Sequence, residues 1–237
     1  MNVRILRQTS AHAPARWEGF DVEVRPDMSI AALLDYMNYA DDLVDDEGNP
    51  TTRIRWECSC LQGACGSCAM VVNGMPVLAC ETFVHDLTGD VIEIRPLRKF
   101  PVVCDLVVDR MTLFKSLERM GVCIESYEPN EPRRKKRRES ELRHQYEAAK
   151  CLKCGLCLEV CPNYTTGRNF FGALFANDCY LVATRNRSKV SEVEAVYAEH
   201  VGRDCSKALS CMDVCPQKIS TITSMAYLNR QKRHRGR

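Results

Sequence analysis

A cysteine-rich segment at residues 60–80 constrains this chain more than any other feature. Cys60, Cys65 and Cys68 are separated by four and then two residues, and Cys80 follows after eleven more. The loop around the first three cysteines contains the small residues Gly63, Ala64, Gly66, Ser67 and Ala69, so its backbone can approach whatever the thiolates hold. Zinc sites usually combine two similar C-x2-4-C pairs, which makes zinc a minor alternative here. The spacing C-x4-C-x2-C with a distant fourth cysteine is instead typical of a [2Fe–2S] cluster.

Alternating apolar and polar residues predict strands around this loop. Strands are expected at residues 1–7, 20–24, 51–56, 69–72, 75–80 and 91–95. We expect the first two to form a hairpin, a helix to begin after Ser29, and Asn73-Gly74 to form a two-residue hairpin turn. These elements predict an α+β domain over residues 1–100, with the β-grasp fold of plant-type ferredoxins.

Beyond Pro101 the apolar residues recur at helical spacing, which predicts an all-α, bacterial-ferredoxin-like domain over residues 101–237. Its helices are expected near residues 106–117, 141–150, 170–183, 190–201 and 220–231. Residues 128–141 have no apolar side chain apart from prolines and include the basic run Arg133–Arg138. We expect an exposed connection whose basic run is solvated. Docking of this run to an anionic membrane or an acidic partner is a second interpretation, and a nuclear-localisation or nucleic-acid role is a weaker one.

The most specific motif lies at the start of the helical domain. Cys151, Cys154, Cys157 and Cys161-Pro162 reproduce C-x2-C-x2-C-x3-C-P, the bacterial ferredoxin run whose fourth cysteine ligates the other cluster. The first three thiolates then need a fourth ligand from elsewhere in the chain. Cys215, in a second Cys-Pro pair, is the obvious donor. We therefore assign Cys151, Cys154, Cys157 and Cys215 to a [4Fe–4S] cluster.

A third set of cysteines is incomplete. The segment from Cys205 to Cys211 lacks the middle cysteine of a ferredoxin run, because Ala208 stands at that position. A methyl group cannot ligate iron, so these two cysteines together with Cys161 predict a three-ligand [3Fe–4S] cluster. A [4Fe–4S] cluster with an oxygen ligand from Ser206 or Ser210 is the alternative, although neither serine is in the register of the missing cysteine.

Four of the fifteen cysteines lie outside these assignments. Cys104, Cys123 and Cys179 lie in apolar sequence with helical spacing and are expected to be small buried hydrophobes. Cys58 is a competing ligand for the first cluster, although its use would lengthen the first gap from four residues to six. Cluster-like spacings without a signal peptide predict a reducing compartment rather than a disulfide framework.

Net charge and hydropathy argue against a nucleic-acid-binding protein and against a membrane-spanning one. The net charge of +2 implies no global attraction to nucleic acid. No stretch approaches the roughly 18 consecutive apolar residues of a membrane helix. The five histidines are scattered, no acid–base pair stands out, and each histidine is expected at the surface or in packing rather than in catalysis.

This order of clusters resembles the iron–sulfur subunits of succinate dehydrogenase and fumarate reductase. The resemblance is carried by the cysteine segments and by the junction Phe100–Asp109, which is similar to the P-V-x-x-D-L-V-V-D segment of that family. It implies a non-catalytic electron-transfer subunit of a quinone oxidoreductase. It also implies an FAD-containing partner subunit, a cytochrome b-like membrane anchor, a quinone, and a peripheral position on the cytoplasmic face of the inner (plasma) membrane.

The sequence departs from that family on the quinone side, where the resemblance implies Pro162, Ser206 and Ala208. Many succinate:ubiquinone oxidoreductases carry a tryptophan pair in the segment that here reads Pro162–Thr166, and histidine where this chain has Ser206. Both departures favour menaquinone over ubiquinone. The alternative function is a soluble flavin reductase complex, in which the same clusters take electrons from a thiol or a ferredoxin without a membrane anchor.

Overall fold

The computed structural model describes residues 1–120, 138–186 and 189–235, which fall into two compact units. The first unit comprises Met1–Arg110 together with Leu152–Glu159, and the second comprises Met111–Cys151 together with Val160–Arg237. A mixed sheet dominates the first unit and helices dominate the second, so the predicted fold class is confirmed. The domain boundary after residue 100 stays a prediction.

The first unit is built on one mixed sheet. Its strands are β1 (Asn2–Arg7), β2 (Arg16–Asp21), β3 (Ala69–Val72), β4 (Met75–Leu78) and β5 (Val91–Arg95). Their order is β2-β1-β5-β3-β4, with β1 and β5 parallel and all other neighbours antiparallel. The single parallel pair at the centre is the β-grasp arrangement that the sequence predicts.

Alternation of apolar residues explains how this sheet forms its core. Val3 and Ile5 are fully buried because successive side chains of β1 point to opposite faces. Helix α1 (Ile30–Asn38) buries its apolar side chains Ile30, Leu33, Leu34 and Met37, and the hydroxyl of Ser29 caps it by accepting a hydrogen bond from the amide of Ala32 at 3.1 Å. The predicted hairpin of the first two strands is confirmed, although β2 begins four residues before the predicted start.

Two predicted elements are wrong. Residues 51–56 form no strand, because their backbone groups bond to side chains rather than to a neighbouring strand. The guanidinium of Arg7 donates to the carbonyl of Arg53, and a carboxylate oxygen of Asp105 accepts from the amide of Arg55. The predicted helix after Pro101 is also shorter than expected. The hairpin strands β6 (Val102–Cys104) and β7 (Val107–Val108) come first, followed by helix α2 (Met111–Glu118).

Helices form the rest of the described chain. They are α3 (Glu139–Ala149), α4 (Leu156–Glu159), α5 (Gly172–Arg185), α6 (Val190–Tyr197), α7 (Ser210–Asp213) and α8 (Thr221–Arg235). Helix α4 belongs to the first unit and the others to the second. None of the described helices is long and apolar enough to cross a membrane.

Helix α5 is the centre of the second unit and packs against α3, α6 and α8. Its residues Phe175, Ala176 and Cys179 have no exposed surface, so the expected burial of Cys179 is confirmed. The expectation for Cys104 is wrong, because this residue lies half-buried in β6 rather than in a helix. Cys123 and residues 133–137 of the basic run, which we expect to be solvated, lie outside the described residues.

A buried polar network joins three of these helices. His144 on α3 lies 3.0 Å from the hydroxyl of Ser224 on α8, which donates to the side chain of Asn177 on α5 at 3.1 Å. The side-chain Nδ2 of Asn177 in turn donates to the backbone carbonyl of Ala148 at 2.9 Å. Burial lowers the pKa of His144 below its ordinary value. His144 is therefore a packing residue, as expected.

Candidate metal centres

The β3–β4 hairpin brings together two of the cysteines predicted to hold the [2Fe–2S] cluster. Cys68 immediately precedes β3, and Cys80 lies on the short helical turn Ala79–Glu81 that follows β4. Their Sγ atoms are 3.4 Å apart. This distance is far from the roughly 2.05 Å of a disulfide. It is close to the roughly 3.8 Å expected for two thiolates on one tetrahedral metal ion with bonds of about 2.3 Å.

The loop before β3 directs backbone amides at the cysteine sulfurs. The amides of Gln62 and Ala64 donate to the Sγ of Cys60 at 3.4 and 3.3 Å, and the amide of Gly63 donates to the Sγ of Cys80 at 3.3 Å. Such donors stabilise negative charge on sulfur. The loop therefore fits a group that is held by thiolates.

Two of the loop cysteines have pKa values shifted in opposite directions. The pKa of Cys65 is lowered to about 6, chiefly by a hydrogen bond with the hydroxyl of Ser67 at 3.0 Å. Burial raises the pKa of Cys68 to about 12. Because metal ligands must be deprotonated, a bound cluster would have to displace the proton of Cys68, whereas Cys65 is already prepared as a thiolate.

Cys58 differs from the predicted ligands in its exposure. It is exposed, whereas Cys60, Cys65 and Cys80 are half-buried and Cys68 is buried. The assignment of the four ligands, and the possible competition by Cys58, stay predictions.

Part of the bacterial ferredoxin run is attached to the first unit. The backbone turns sharply at Gly155, whose φ of +88° lies in the left-handed region, and a Cβ there would come within 2.9 Å of the Phe100 ring. The buried carboxylate of Glu159 accepts from the Nε of Arg98 at 2.7 Å and from the amide of Lys99 at 3.0 Å. These contacts hold α4, and the turn that bears Cys154 and Cys157, against the segment after β5.

This turn lies directly against the [2Fe–2S] loop. Gly66, between Cys65 and Cys68, has a φ of +79°, and a Cβ added there would be 2.7 Å from the Cβ of Cys154. It would also be 3.1 Å from the Cβ of Leu152. Only a glycine allows so close an approach of the two loops.

The other predicted ligands of the [4Fe–4S] cluster lie in the second unit, to which Cys151 and Cys215 belong. The Sγ of Cys215 accepts a hydrogen bond from the amide of Ile219 at 3.5 Å. The assignment of Cys151, Cys154, Cys157 and Cys215 to one cluster stays a prediction.

The second unit brings together the three cysteines predicted to hold the [3Fe–4S] cluster. The pKa of Cys211 is raised to about 11, first by burial and then by the charges of Cys161 and Cys205. Such an effect weakens with distance, so it favours a grouping of these three cysteines in the fold. Cys205 also acts on Tyr197, whose pKa is raised to about 12 by burial and by that charge.

The residues predicted on the quinone side are neighbours of the proposed ligands Cys161 and Cys205 along the chain. Pro162, Ser206 and Ala208 are all exposed. The hydroxyl of Ser206 donates to the side chain of Asn163 at 2.6 Å, which ties the loop after Cys205 to the loop after Cys161. Ala208 lies between Lys207 and Leu209, both with left-handed backbones at φ values of 59° and 61°. The methyl group of Ala208 has no atom that could ligate iron.

Among the described residues, no group of three or more His, Cys, Asp or Glu side chains surrounds a position for a single metal ion. This finding concerns mononuclear sites. In a cluster the protein thiolates are distributed over several irons, which inorganic sulfides bridge.

Sequence reasoning missed the residues that support the cluster loops. Glu159, Arg110 and the approach of Gly66 to Cys154 were not predicted. Only Glu159 had a sequence signal, because a charged residue between the apolar Leu158 and Val160 indicates a buried, paired carboxylate. The structure buries Glu159 almost completely.

Comparison with known proteins identifies two iron–sulfur domains in this chain. Residues 2–115 match the family model of a 2Fe-2S iron-sulfur cluster binding domain, and residues 147–219 match that of a 4Fe-4S dicluster domain. The chain is 34% identical over 234 residues to the succinate dehydrogenase iron-sulfur subunit of Bacillus subtilis, covering 95% of this chain and 90% of that protein. It is 27% identical over 241 residues to the fumarate reductase iron-sulfur subunit of Wolinella succinogenes, covering 98% of this chain and 96% of that protein.

The fold agrees as well. A chain of the Mycobacterium smegmatis Sdh1 complex in the apo form superposes with a TM-score of 0.76 at 21% identity, covering 99% of this chain and 95% of that one. The two cluster-binding domains, the identity to the B. subtilis protein and the extent of both matches lead to one conclusion. This chain belongs to the family of iron–sulfur subunits of succinate dehydrogenase and fumarate reductase, and is thus a subunit of an oxidoreductase complex.

Proposed function

We propose that this chain relays electrons between a partner subunit with FAD and a quinone, through three iron–sulfur clusters. The proposed ligands are Cys60, Cys65, Cys68 and Cys80 for [2Fe–2S], Cys151, Cys154, Cys157 and Cys215 for [4Fe–4S], and Cys161, Cys205 and Cys211 for [3Fe–4S]. When bound, such clusters exchange one electron at a time and so connect carriers that handle two, such as flavin and quinone.

The observation that carries this proposal is the contact between the two cluster loops of the first unit. Gly66 lies between two proposed ligands of the [2Fe–2S] cluster, and its backbone touches Cys154, a proposed ligand of the next cluster. Close packing of two ligand loops is what electron transfer between neighbouring centres requires.

The protein groups around the sulfurs support the same role. The amides of Gln62, Gly63 and Ala64 donate to thiolate sulfurs, and hydrogen bonds of this kind help to set the reduction potential of a cluster. In this proposal Cys161, Cys205 and Cys211 hold the cluster with one corner missing, and the influence of the charges of Cys161 and Cys205 on Cys211 supports their grouping. Chemistry on the dicarboxylate belongs to the flavin subunit in this proposal.

For the electron partner on the far side we propose menaquinone and a membrane-anchor subunit. Ser206 bonds to Asn163, and the segment Pro162–Thr166 has no tryptophan, whereas many ubiquinone enzymes carry a tryptophan pair there. The chain would then be a peripheral protein on the cytoplasmic face of the inner membrane, held there by its partners.

The test is to purify the chain from its native host with an affinity tag and to assay the complex. We expect it to copurify with a flavoprotein and a membrane protein, and to reduce fumarate with a menaquinol analogue faster than with ubiquinol. Cys154→Ser should abolish this activity, while the matched variant Cys104→Ser, at an unassigned cysteine, should retain it. A complex recovered only from the soluble fraction, reduced by a thiol or ferredoxin and inactive with quinols, would contradict the proposal.

A further inference from the structure

Arg110 holds the backbone of the [2Fe–2S] loop. One terminal nitrogen of its guanidinium donates to the carbonyl oxygen of Ser67 at 2.9 Å and lies 3.5 Å from that of Ala69. These two residues flank Cys68, the most buried of the proposed ligands. The other terminal nitrogen donates to the carboxylate of Glu57. Arg110 therefore links the loop to one counter-charge.

The positive charge of Arg110 is poorly screened by solvent. Its side chain is 14% exposed, whereas that of Glu57 is 39% exposed. The Nε of Arg110 is buried and has no hydrogen-bond partner in the described structure. A buried charge acts over longer distances than a solvated one, because the surrounding protein screens it less than water does.

We infer that Arg110 is a positioning residue that raises the reduction potential of the [2Fe–2S] cluster, and that Glu57 acts in the opposite direction. The inference rests on the proposed function, since it assumes that the loop cysteines hold this cluster. One-electron reduction adds a negative charge to the cluster. A nearby positive charge therefore stabilises the reduced form, and a nearby negative charge destabilises it.

Coulomb's law gives the size of the effect. For charges roughly 10 Å apart in a medium with an effective dielectric constant of about 20, loss of one charge changes the ratio of reduced to oxidised cluster roughly tenfold at a fixed potential. For a one-electron couple a tenfold change corresponds to about 59 mV.

The experiment is an EPR-monitored redox titration of the [2Fe–2S] signal in the full-length, cluster-loaded chain. The variants are Arg110→Gln, which removes the positive charge, and Glu57→Gln, which removes the negative charge and leaves every bond of Arg110 to the loop intact. Arg110→Lys keeps the charge but replaces the planar donor group. Arg4→Gln is the control, because Arg4 forms an ion pair with Glu93 at 3.0 Å and bonds to no residue of the loop.

We expect Arg110→Gln to lower the reduction potential by about 59 mV, the equivalent of a tenfold change in the ratio of reduced to oxidised cluster, and Glu57→Gln to raise it. The potential of Arg110→Lys should remain near that of the wild type, and Arg4→Gln should leave it unchanged. If Arg110→Gln fails to retain its cluster, the inference is tested by Glu57→Gln alone: a raised reduction potential supports it, and an unchanged or lowered one contradicts it. Unchanged potentials in both charge variants, or shifts in the same direction, would overturn the inference. Absence of any [2Fe–2S] signal in the wild type would instead contradict the proposed function.

Discussion

Replacing Gly66 by alanine tests the contact between the two cluster loops. The new Cβ would be 2.7 Å from the Cβ of Cys154, whereas ordinary contacts between carbon atoms begin near 3.5 Å. One of the loops must therefore move by most of an ångström. The φ of +79° adds a second cost, because an L-residue in the left-handed region is destabilised by about 1–2 kcal/mol.

Gly74 provides a matched control. Its φ is +80°, nearly that of Gly66, but a Cβ there would have no atom within 4 Å. Gly74→Ala should therefore show the backbone cost alone, about 1–2 kcal/mol. Gly66→Ala should add an overpacking cost of about 1–3 kcal/mol and disturb the loop that bears Cys154.

The assay has two parts. Urea unfolding of the cluster-loaded chain, followed by the visible absorbance of the clusters, gives the loss of stability. EPR of the reduced chain gives the magnetic interaction between the [2Fe–2S] and [4Fe–4S] clusters, which we expect Gly66→Ala to weaken and Gly74→Ala to leave unchanged. If both variants unfold at the same urea concentration and show the same interaction, the loops are not in the contact described here.

Three further tests, which use five variants, address separate parts of the molecule. Ala208→Cys should supply the missing ligand and convert the [3Fe–4S] cluster into a [4Fe–4S] cluster, so the EPR signal of the oxidised chain should disappear; a persisting signal would mean that the register of this loop is misassigned. Cys58→Ser should retain the [2Fe–2S] signal and Cys60→Ser should lose or alter it, whereas the reverse result would exchange their roles. Arg7→Leu should cost about 3–5 kcal/mol in urea unfolding, because it removes the buried ion-pair partner of Asp105 and Glu18, and Glu18 then retains only the exposed Arg16 at 3.7 Å. Arg4→Leu, which breaks an exposed ion pair, should cost less than about 1 kcal/mol.

The sequence predicts best where one local rule decides the structure. The hairpin turn at Asn73-Gly74 is such a case, because its two residues adopt the positive φ values of 45° and 80° that the turn requires. The cap at Ser29 and the alternation in β1 are others. Cysteine spacing has the same property, since the distances along the chain limit which thiolates can reach one cluster.

Prediction fails where distant residues decide. Residues 51–56 have the alternation of a strand, but Arg7 and Asp105 supply the hydrogen bonds that a neighbouring strand would have made. Asp105 lies about fifty residues further along the chain, and its own backbone is left-handed at a φ of 42°. No local pattern indicates a side chain that replaces a strand in this way.

The supporting residues of the cluster loops could not be predicted for the same reason. A glycine such as Gly66 is visible in the sequence, but its neighbour Cys154 is known only once the fold brings the two loops together. Arg110 likewise reaches back over forty residues to the carbonyl of Ser67. Spacing identifies the candidate ligands, and the fold identifies the residues that orient them.

Low-temperature EPR of the anaerobically purified chain, recorded as it is reduced stepwise, tests the proposed relay most directly. We predict a near-isotropic signal from [3Fe–4S] in the oxidised chain, a [2Fe–2S] signal on mild reduction, and about nine iron atoms per chain. An oxidised chain without the first signal, or a chain that contains zinc in place of iron and acid-labile sulfide, would contradict the proposal of a three-cluster relay.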